Sequence, residues 1–462
     1  MYSESDLVRI ARRENNTKRS YLVVNRLQGK HIPVKPSDAF EMFKELADTL
    51  RGAYVGERLL LVGFAETATA IGAAVAVELG TKYIQTTREV IPGVDYIFFS
   101  EEHSHATEQK LVKDDMDACM GEIDRIVFVE DEVTTGKTIL NIIAMLEKLY
   151  LGAVQYSVAS LLNGMDEKAL KLYAERGIKL HYLVKTNHDA YSAVAEKFAG
   201  DGTYVACDTG AFAGAESSAV ATREVQLDAE GCAVATKAVQ LGAEANVVTG
   251  AAHSGAEANT VATGEVQLRA GVGMTVAIET EPGAEVGVSD VQDVRLDTDA
   301  RAADAKRLPL SATELTMGGA MNARRLVDTM EYREACDTLW GQIEGTLSKE
   351  LNGRVLVLGT EEFMYPALYV ARKIEQKGVE VRNHATTRSP IAVSTEAEYP
   401  LHVRYELRSL YDKDRVTFVY DIDTYDAVLV ITDARNEQQE GLNSLINALK
   451  KKNDKIFCIR WC

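Results

Sequence analysis

The stretch that most constrains this chain runs Ile126-Val127-Phe128-Val129-Glu130-Asp131-Glu132-Val133-Thr134-Thr135-Gly136-Lys137-Thr138. Four apolar residues in a row read as a buried strand, and Glu130 and Asp131 follow at its end. A hydroxyl-rich turn around one glycine comes next. Beyond it Ile139, Ile142, Ile143, Leu146 and Leu149 keep helical spacing. A strand–loop–helix unit of this kind belongs to an α/β sheet, where ligands bind at the C-terminal ends of parallel strands. The loop amides and the helix N-terminus favour a phosphate, and threonine hydroxyls add hydrogen bonds. Two carboxylates repel a phosphate, so they suit sugar hydroxyls or a metal ion instead.

Gly136-Lys137-Thr138 copies the end of a Walker A loop, but that loop needs a glycine where this chain has Asp131. The stretch instead resembles the 5-phosphoribosyl-1-pyrophosphate (PRPP) signature of type I phosphoribosyltransferases, a hydrophobic strand followed by two acids and Thr-Thr-Gly-x-Thr. The resemblance implies that Glu130 and Asp131 hold the ribose hydroxyls and, directly or indirectly, Mg²⁺. It implies that Thr134, Thr135, Gly136, Lys137 and Thr138 hold the 5′-phosphate. A fold that senses PRPP without catalysis stays open as an alternative, as does a scaffold in a stress-response complex.

About sixty residues earlier, Leu59-Leu60-Leu61-Val62 reads as a second buried strand that runs into Gly63-Phe64-Ala65-Glu66-Thr67-Ala68 and an alanine-rich helix up to Gly80. Thr67 is a good helix N-cap, so this turn is a second anion site. By the same resemblance Glu66, Thr67 and Ala68 hold the pyrophosphate, largely through backbone N–H groups. Arg88, in Thr86-Thr87-Arg88, is placed to clamp a pyrophosphate oxygen. His103, His105 and Lys110 stand in a polar run between the two motifs, where type I enzymes close a mobile loop. There they would donate to the leaving group or shuttle a proton. A zinc site from His103 and His105 alone has weak support, and a solvated loop is the plain reading.

The first 36 residues hold a basic, polar run, Arg12 to Arg19, followed by Lys30 and His31. Its alternative readings are a hood over the acceptor base, with Lys30 and His31 in contact, or a solvated edge hairpin. Strand and helix patterns alternate through residues 55–190, which predicts a parallel sheet flanked by helices. From about 205 to 305 the chain becomes repetitive: Val220-Ala221-Thr222 recurs at Val234 and Val261, with a weaker copy at Val247. That segment reads as β-turn units or a linker without chemistry.

From 330 onward the α/β pattern returns. Arg354 to Gly359 is a strand, and Thr360-Glu361-Glu362 is followed by Thr386-Thr387-Arg388-Ser389-Pro390. This mirrors Gly63, Glu66 and Thr86-Thr87-Arg88, so the chain reads as a duplication whose second copy lacks Thr-Thr-Gly-x-Thr. Thr387-Arg388-Ser389-Pro390 behind such a domain resembles the TRSP-domain family of tellurite-resistance and stress-response gene clusters, whose first domain is an orotate-like phosphoribosyltransferase. The expected domains are 1–204, 205–310 and 311–462. The expected fold is α/β: a type I phosphoribosyltransferase-like sheet, a β-leaning insertion and a second α/β domain. The activity implied is transfer of phosphoribosyl from PRPP to a nucleobase-like acceptor.

A formal net charge of −18 over 462 residues argues against general nucleic-acid or membrane surfaces, both of which are anionic. The six cysteines form no C-x-x-C pair, and no apolar run is long enough to span a bilayer. Those features predict free thiols and a cytoplasmic location. A homodimer stays open.

Overall fold

The computed structural model describes residues 2–14, 19–99, 109–152, 154–207, 312–435 and 439–462, with strands at 246–247, 263–270 and 272–279. The chain divides into two compact units, one of residues 1–211 with 309–462 and one of residues 212–308.

In the larger unit, strands β1 (Leu59–Gly63), β2 (Lys82–Gln85), β3 (Arg125–Val133), β4 (Gln155–Asn163) and β5 (Lys179–Lys185) make one parallel sheet in the order β2-β1-β3-β4-β5. Helices α1 (Pro36–Arg51), α2 (Thr69–Leu79) and α3 (Lys137–Tyr150) accompany it. The central strands are apolar because both faces are covered: Ile126, Val127, Phe128 and Val129 are all fully buried. α2 is apolar all round, TAIGAAVAVEL, and is buried almost throughout, as such a helix must be. Gly72 on α2 lies so close to β1 that a Cβ there would stand 2.9 Å from the Gly63 Cα.

A second sheet is built by β6 (Thr313–Met317), β7 (Arg354–Gly359), β8 (Glu380–Ala385), β9 (Ala427–Thr432) and β10 (Ile456–Trp461), with helices α4 (Thr329–Leu347), α5 (Tyr365–Gln376) and α6 (Gln439–Lys450). It is also wholly parallel, in the order β8-β7-β9-β10-β6. The two sheets therefore share one strand order, with β7, β8, β9 and β10 in the places of β1, β2, β3 and β4. Each also carries an antiparallel arm after its second strand: Tyr96–Phe99 with Gln109–Val112 in the first, Val403–Arg408 with Val416–Tyr420 in the second. The arm in the first half departs from the strict strand–helix alternation read from residues 55–190.

The halves are interleaved. Val327–Asp328 adds to the edge of the first sheet beside β2, and Thr203–Ala206 adds to the arm of the second half. One hydrophobic core runs from Leu7 to Trp461 through both, and α2 packs on α5. In the smaller unit, Thr263–Ala270 pairs antiparallel with Val272–Glu279, and Asn246–Val247 pairs with the former. The Thr263 copy of the sequence repeat is thus in a strand, whereas the copies at Val220 and Val234 lie outside the described residues.

Candidate functional site

β3 does not stop before its acids. It continues through Glu130, Asp131 and Glu132 to Val133, paired with β4 as far as Asn163. The ladder holds the carboxylates in fixed register, whereas a free loop would leave them mobile. Gly136 then takes a left-handed conformation (φ 68°) and caps α3. A Cβ there would collide with the Tyr173 hydroxyl and the Met165 methyl, so only glycine fits. Tyr173 Oη donates to the Gly136 carbonyl at 2.7 Å and is buried under the turn. Thr135 and Lys137 are exposed and Thr134 and Thr138 half-buried, at a helix N-terminus of the kind that favours anions.

The loop after β1 meets these acids directly. Thr67 Oγ1 donates to Asp131 Oδ1 at 2.8 Å. The loop itself is tied down from behind: Gln109 Nε2 donates to the Ala65 carbonyl at 2.8 Å, Ala65 N donates to Thr86 Oγ1 at 2.8 Å, and Gln28 Nε2 donates to the Thr67 carbonyl at 2.6 Å. Burial and the neighbouring Glu132 push the Asp131 carboxyl up to about 6, with the Thr67 bond opposing. Asp131 is therefore poised to change charge near neutrality.

Glu132 faces the N-terminal segment. Arg19 Nη2 donates to Glu132 Oε2 at 2.7 Å, and His188 Nε2 lies 3.3 Å from Glu132 Oε1. Arg19 also sits over the Tyr21 ring, and Tyr21 Oη is 2.9 Å from His188 Nδ1. Burial lowers the His188 pKa, with Glu132 opposing. Glu132 Oε1 is buried with no hydrogen-bond partner among the described residues. The residues of the hood reading that approach the acids are Arg19 and Tyr21. Lys30 and His31 stand elsewhere: Lys30 is fully buried, ion-paired with Glu66, and donates to the Thr386 carbonyl at 3.1 Å. His31 is buried beside it, and burial followed by Lys30 lowers its pKa to about 3. Neither fronts a cleft for an acceptor.

Glu66 and Arg88 belong to a reciprocal exchange between the halves. Thr387 Oγ1 and Arg388 N donate to Glu66 Oε1 at 2.8 and 3.2 Å. In return, Thr87 Oγ1 and Arg88 N donate to Glu362, at 2.6 Å to Oε2 and 2.9 Å to Oε1. Burial works to raise the Glu66 carboxyl, but Lys30 and Arg388 outweigh it and hold the carboxyl near 2. For Glu362, Arg388 and Arg324 likewise overcome burial. The Glu66 carboxylate is thus committed to this network, and only its main chain, with Thr67 and Ala68, is left for the loop's anion. Arg388 reaches further, donating to Glu361 Oε2 at 2.7 Å and Glu89 Oε1 at 2.5 Å.

Lys110 is buried in the first arm, paired through its main chain with Thr87 and with its ammonium 4.9 Å from the Tyr96 ring centre. His103 and His105 lie outside the described residues. Among the described residues no group of three or more His, Cys, Asp or Glu is assembled to hold a metal ion. Of the residues placed here, Glu132 carries the one signal a sequence reader could have used, as a third acid in the same strand. The pairing of Glu66 with Arg388 spans 322 positions and carries no local signal.

Residues 7–188 match the model of a phosphoribosyl transferase family, and residues 327–449 match a TRSP domain described as C-terminal to that same family. No curated protein matches the chain. Among solved structures it is similar to adenine phosphoribosyltransferase from Rhodothermus marinus at 13% identity, covering 39% of this chain and 96% of that one with a TM-score of 0.30. The Leishmania tarentolae adenine phosphoribosyltransferase gives 16% identity, 41% and 88% coverage and a TM-score of 0.30. A hypoxanthine phosphoribosyltransferase from Staphylococcus aureus gives 16% identity, 34% and 77% coverage and a TM-score of 0.22.

Proposed function

Since the chain is a phosphoribosyltransferase fused to the TRSP domain that follows this family, we propose that it transfers phosphoribosyl from PRPP to a ring nitrogen of a nucleobase-like acceptor. The observation that carries this reading is the junction at Asp131. There the acid of the ribose segment is hydrogen-bonded to Thr67 of the second anion loop, with the Thr134–Thr138 turn beginning three residues on. A ribose flanked by a 5′-phosphate and a pyrophosphate matches that order of groups.

In this reaction the bond from ribose C1 to the pyrophosphate oxygen breaks and its electron pair leaves with pyrophosphate. The acceptor nitrogen supplies the pair for the new C1–N bond and loses its proton. No protein nucleophile is required. Glu130 and Asp131 orient the ribose and favour the positive charge that develops at C1, while the amides around Thr67 and Ala68 receive the departing negative charge. Two adjacent acids with hard oxygen donors fit Mg²⁺ that takes its remaining ligands from substrate and water, the usual habit of that ion. When bound, the ion offsets the charge of the pyrophosphate. Lys110, His103 and His105 are assigned to the leaving-group side as part of the same proposal, whereas Arg88, expected there from the sequence, lines a cleft of the second sheet.

The cluster Arg19–Glu132–His188–Tyr21 is the wall we assign to the acceptor. Glu132 Oε1, which has His188 Nε2 3.3 Å away and no hydrogen bond among the described residues, suits an N–H donor on the base. The expected link to tellurite resistance and stress response rests only on the resemblance carried by Thr387-Arg388-Ser389-Pro390. A cytoplasmic location is supported by the free cysteines, of which Cys119, Cys207, Cys336 and Cys458 are buried.

The test is a screen of purine and pyrimidine bases with PRPP and Mg²⁺, reading product mass and pyrophosphate. The expected result is one base class converted by the wild type and by neither Glu130→Ala nor Asp131→Ala. PRPP binding without pyrophosphate release from any base would leave a sensing role in place of the enzyme.

A further inference from the structure

The second sheet carries a cleft of its own. Its volume is about 530 Å³, within the range of small-molecule sites. The register fixes what this cleft corresponds to. In the first sheet Gly63 pairs with Val129, and Asp131 stands two residues on. In the second, Leu358 pairs with Val430, which sets Gly359 beside Ile431, with Asp433 two residues on. Asp433 therefore occupies the position of Asp131, and it lines the cleft. The turn of the second arm also lines it, as do Arg88 and Glu89 contributed by the first half.

The lining is rich in cations: Arg88, Arg324, Lys413, Arg415 and Arg435. The facing acids are largely engaged. Asp433 is ion-paired with Arg324 and accepts from Tyr411 Oη at 2.7 Å. Glu89 accepts from Arg388 and Arg415, and Asp412 lies 3.3 Å from Arg415 Nη2, leaving Asp414 on the exposed turn. Arg324 is only 5% exposed. Its Nε donates to Glu362 at 3.0 Å and its Nη1 is taken by Asp433 and Asn322, yet its buried Nη2 has no hydrogen-bond partner among the described residues. A buried guanidinium N–H left unpaired beside a cleft is costly until an acceptor supplies the bond.

We propose that this cleft is a second binding site, for a small phosphate-bearing anion of up to nucleotide size, held at Arg324 Nη2 and by the exposed Lys413 and Arg435, since Arg415 is already paired with Glu89, Glu361 and Asp412. The site binds without turnover. After Asp433 the chain reads Ala434-Arg435-Asn436-Glu437-Gln438, with no Thr-Thr-Gly-x-Thr turn, and Thr432 stands where Glu130 stands in the first sheet. The inference rests on register and on the unpaired guanidinium, and it does not require the first site to be catalytic.

The test is calorimetric titration of the full chain with ribose 5-phosphate. Three proteins are compared: wild type, Thr134→Ala/Thr138→Ala to disable the first turn, and Lys413→Ala/Arg435→Ala to strip two exposed side chains from the cleft. Circular dichroism confirms that each is folded. The proposal expects the first-turn variant to retain a binding event that the cleft variant loses or weakens at least tenfold. Binding that the first-turn variant abolishes and the cleft variant leaves unchanged overturns it. So does a wild type that binds nothing. Binding that only the cleft variant removes supports the second site while counting against the phosphate role of Thr134–Thr138, so the two readings fail separately.

Discussion

Asp131 carries the pH dependence of the site. In the proposed mechanism its ionised form accepts from ribose hydroxyls, and burial, with Glu132, pushes its pKa up to about 6. The expected outcome is a kcat/KM for PRPP that rises with pH through about 6, with that limb absent in Asp131→Asn. The linkage to stability runs the other way. A carboxyl whose folded pKa is raised above its unfolded value favours folding while protonated. Its contribution is therefore fully present below 3.8 and is lost as pH rises through about 6. Asp131→Asn should accordingly gain stability at pH 8 relative to pH 4, by about 1–2 kcal/mol once solvent screening of a half-buried group is allowed for. Denaturant midpoints at the two pH values check this. The strand, its acids and the threonine turn were legible in the sequence because thirteen contiguous positions carry them, and the ribose and phosphate roles proposed for them come from that same resemblance. The raised pKa of Asp131 was not, because it comes first from burial, which only the fold supplies, with Glu132 adding to it and Thr67, 64 positions away, opposing.

The turn before α3 shows how an element holds a site. Gly136 is left-handed, and a Cβ would meet Tyr173 and Met165. Gly136→Ala should cost at least about 1–3 kcal/mol and weaken PRPP binding with it, whereas Thr135→Ala, at an exposed position, should leave the melting temperature unchanged. Thermal melts with and without PRPP separate the two. On the opposite side, Arg19 fixes Glu132 through a 2.7 Å bond and stacks on Tyr21. Arg19→Ala should raise KM for the acceptor several-fold and KM for PRPP by less, since Arg19 bonds to Glu132 directly and acts on Asp131 only through its charge. The opposite split in initial-rate kinetics would remove the N-terminal segment from the acceptor site. The strands Leu59–Gly63, Arg125–Val133 and Arg354–Gly359 were readable as apolar runs. The antiparallel arms were not: Tyr96–Phe99 is a four-residue strand, and its partner strand lies beyond a polar run that shows no period.

At the scale of the whole molecule, the duplication is visible in sequence as Gly63 with Thr86-Thr87-Arg88 and Gly359 with Thr386-Thr387-Arg388, but its consequence is not. The two copies read as separate domains along the chain. In three dimensions each supplies the hydroxyl and amide that hold the other's glutamate, at Glu66 and Glu362. Their cores merge, and Val327–Asp328 and Thr203–Ala206 cross over to the opposite half. Sequence periodicity reports which face of an element is buried, not which element buries it, and that is why residues 1–204 and 311–462 read as separate domains. A buried ion pair that loses one partner costs about 3–5 kcal/mol, and severing the halves would break the Glu66–Arg388 and Arg388–Glu89 pairs together while exposing the packed faces of α2 and α5. Neither half should therefore fold alone. Residues 1–211 and 309–462, expressed as separate chains, should each be insoluble or show no cooperative melt, yet should co-purify as a folded pair when produced together. Arg388→Met in the intact chain should lower the melting temperature far more than Arg354→Met, whose partners Glu380 and Asp423 are mostly exposed. A residue 1–211 fragment that melts cooperatively by itself would show that the first half needs nothing from the second.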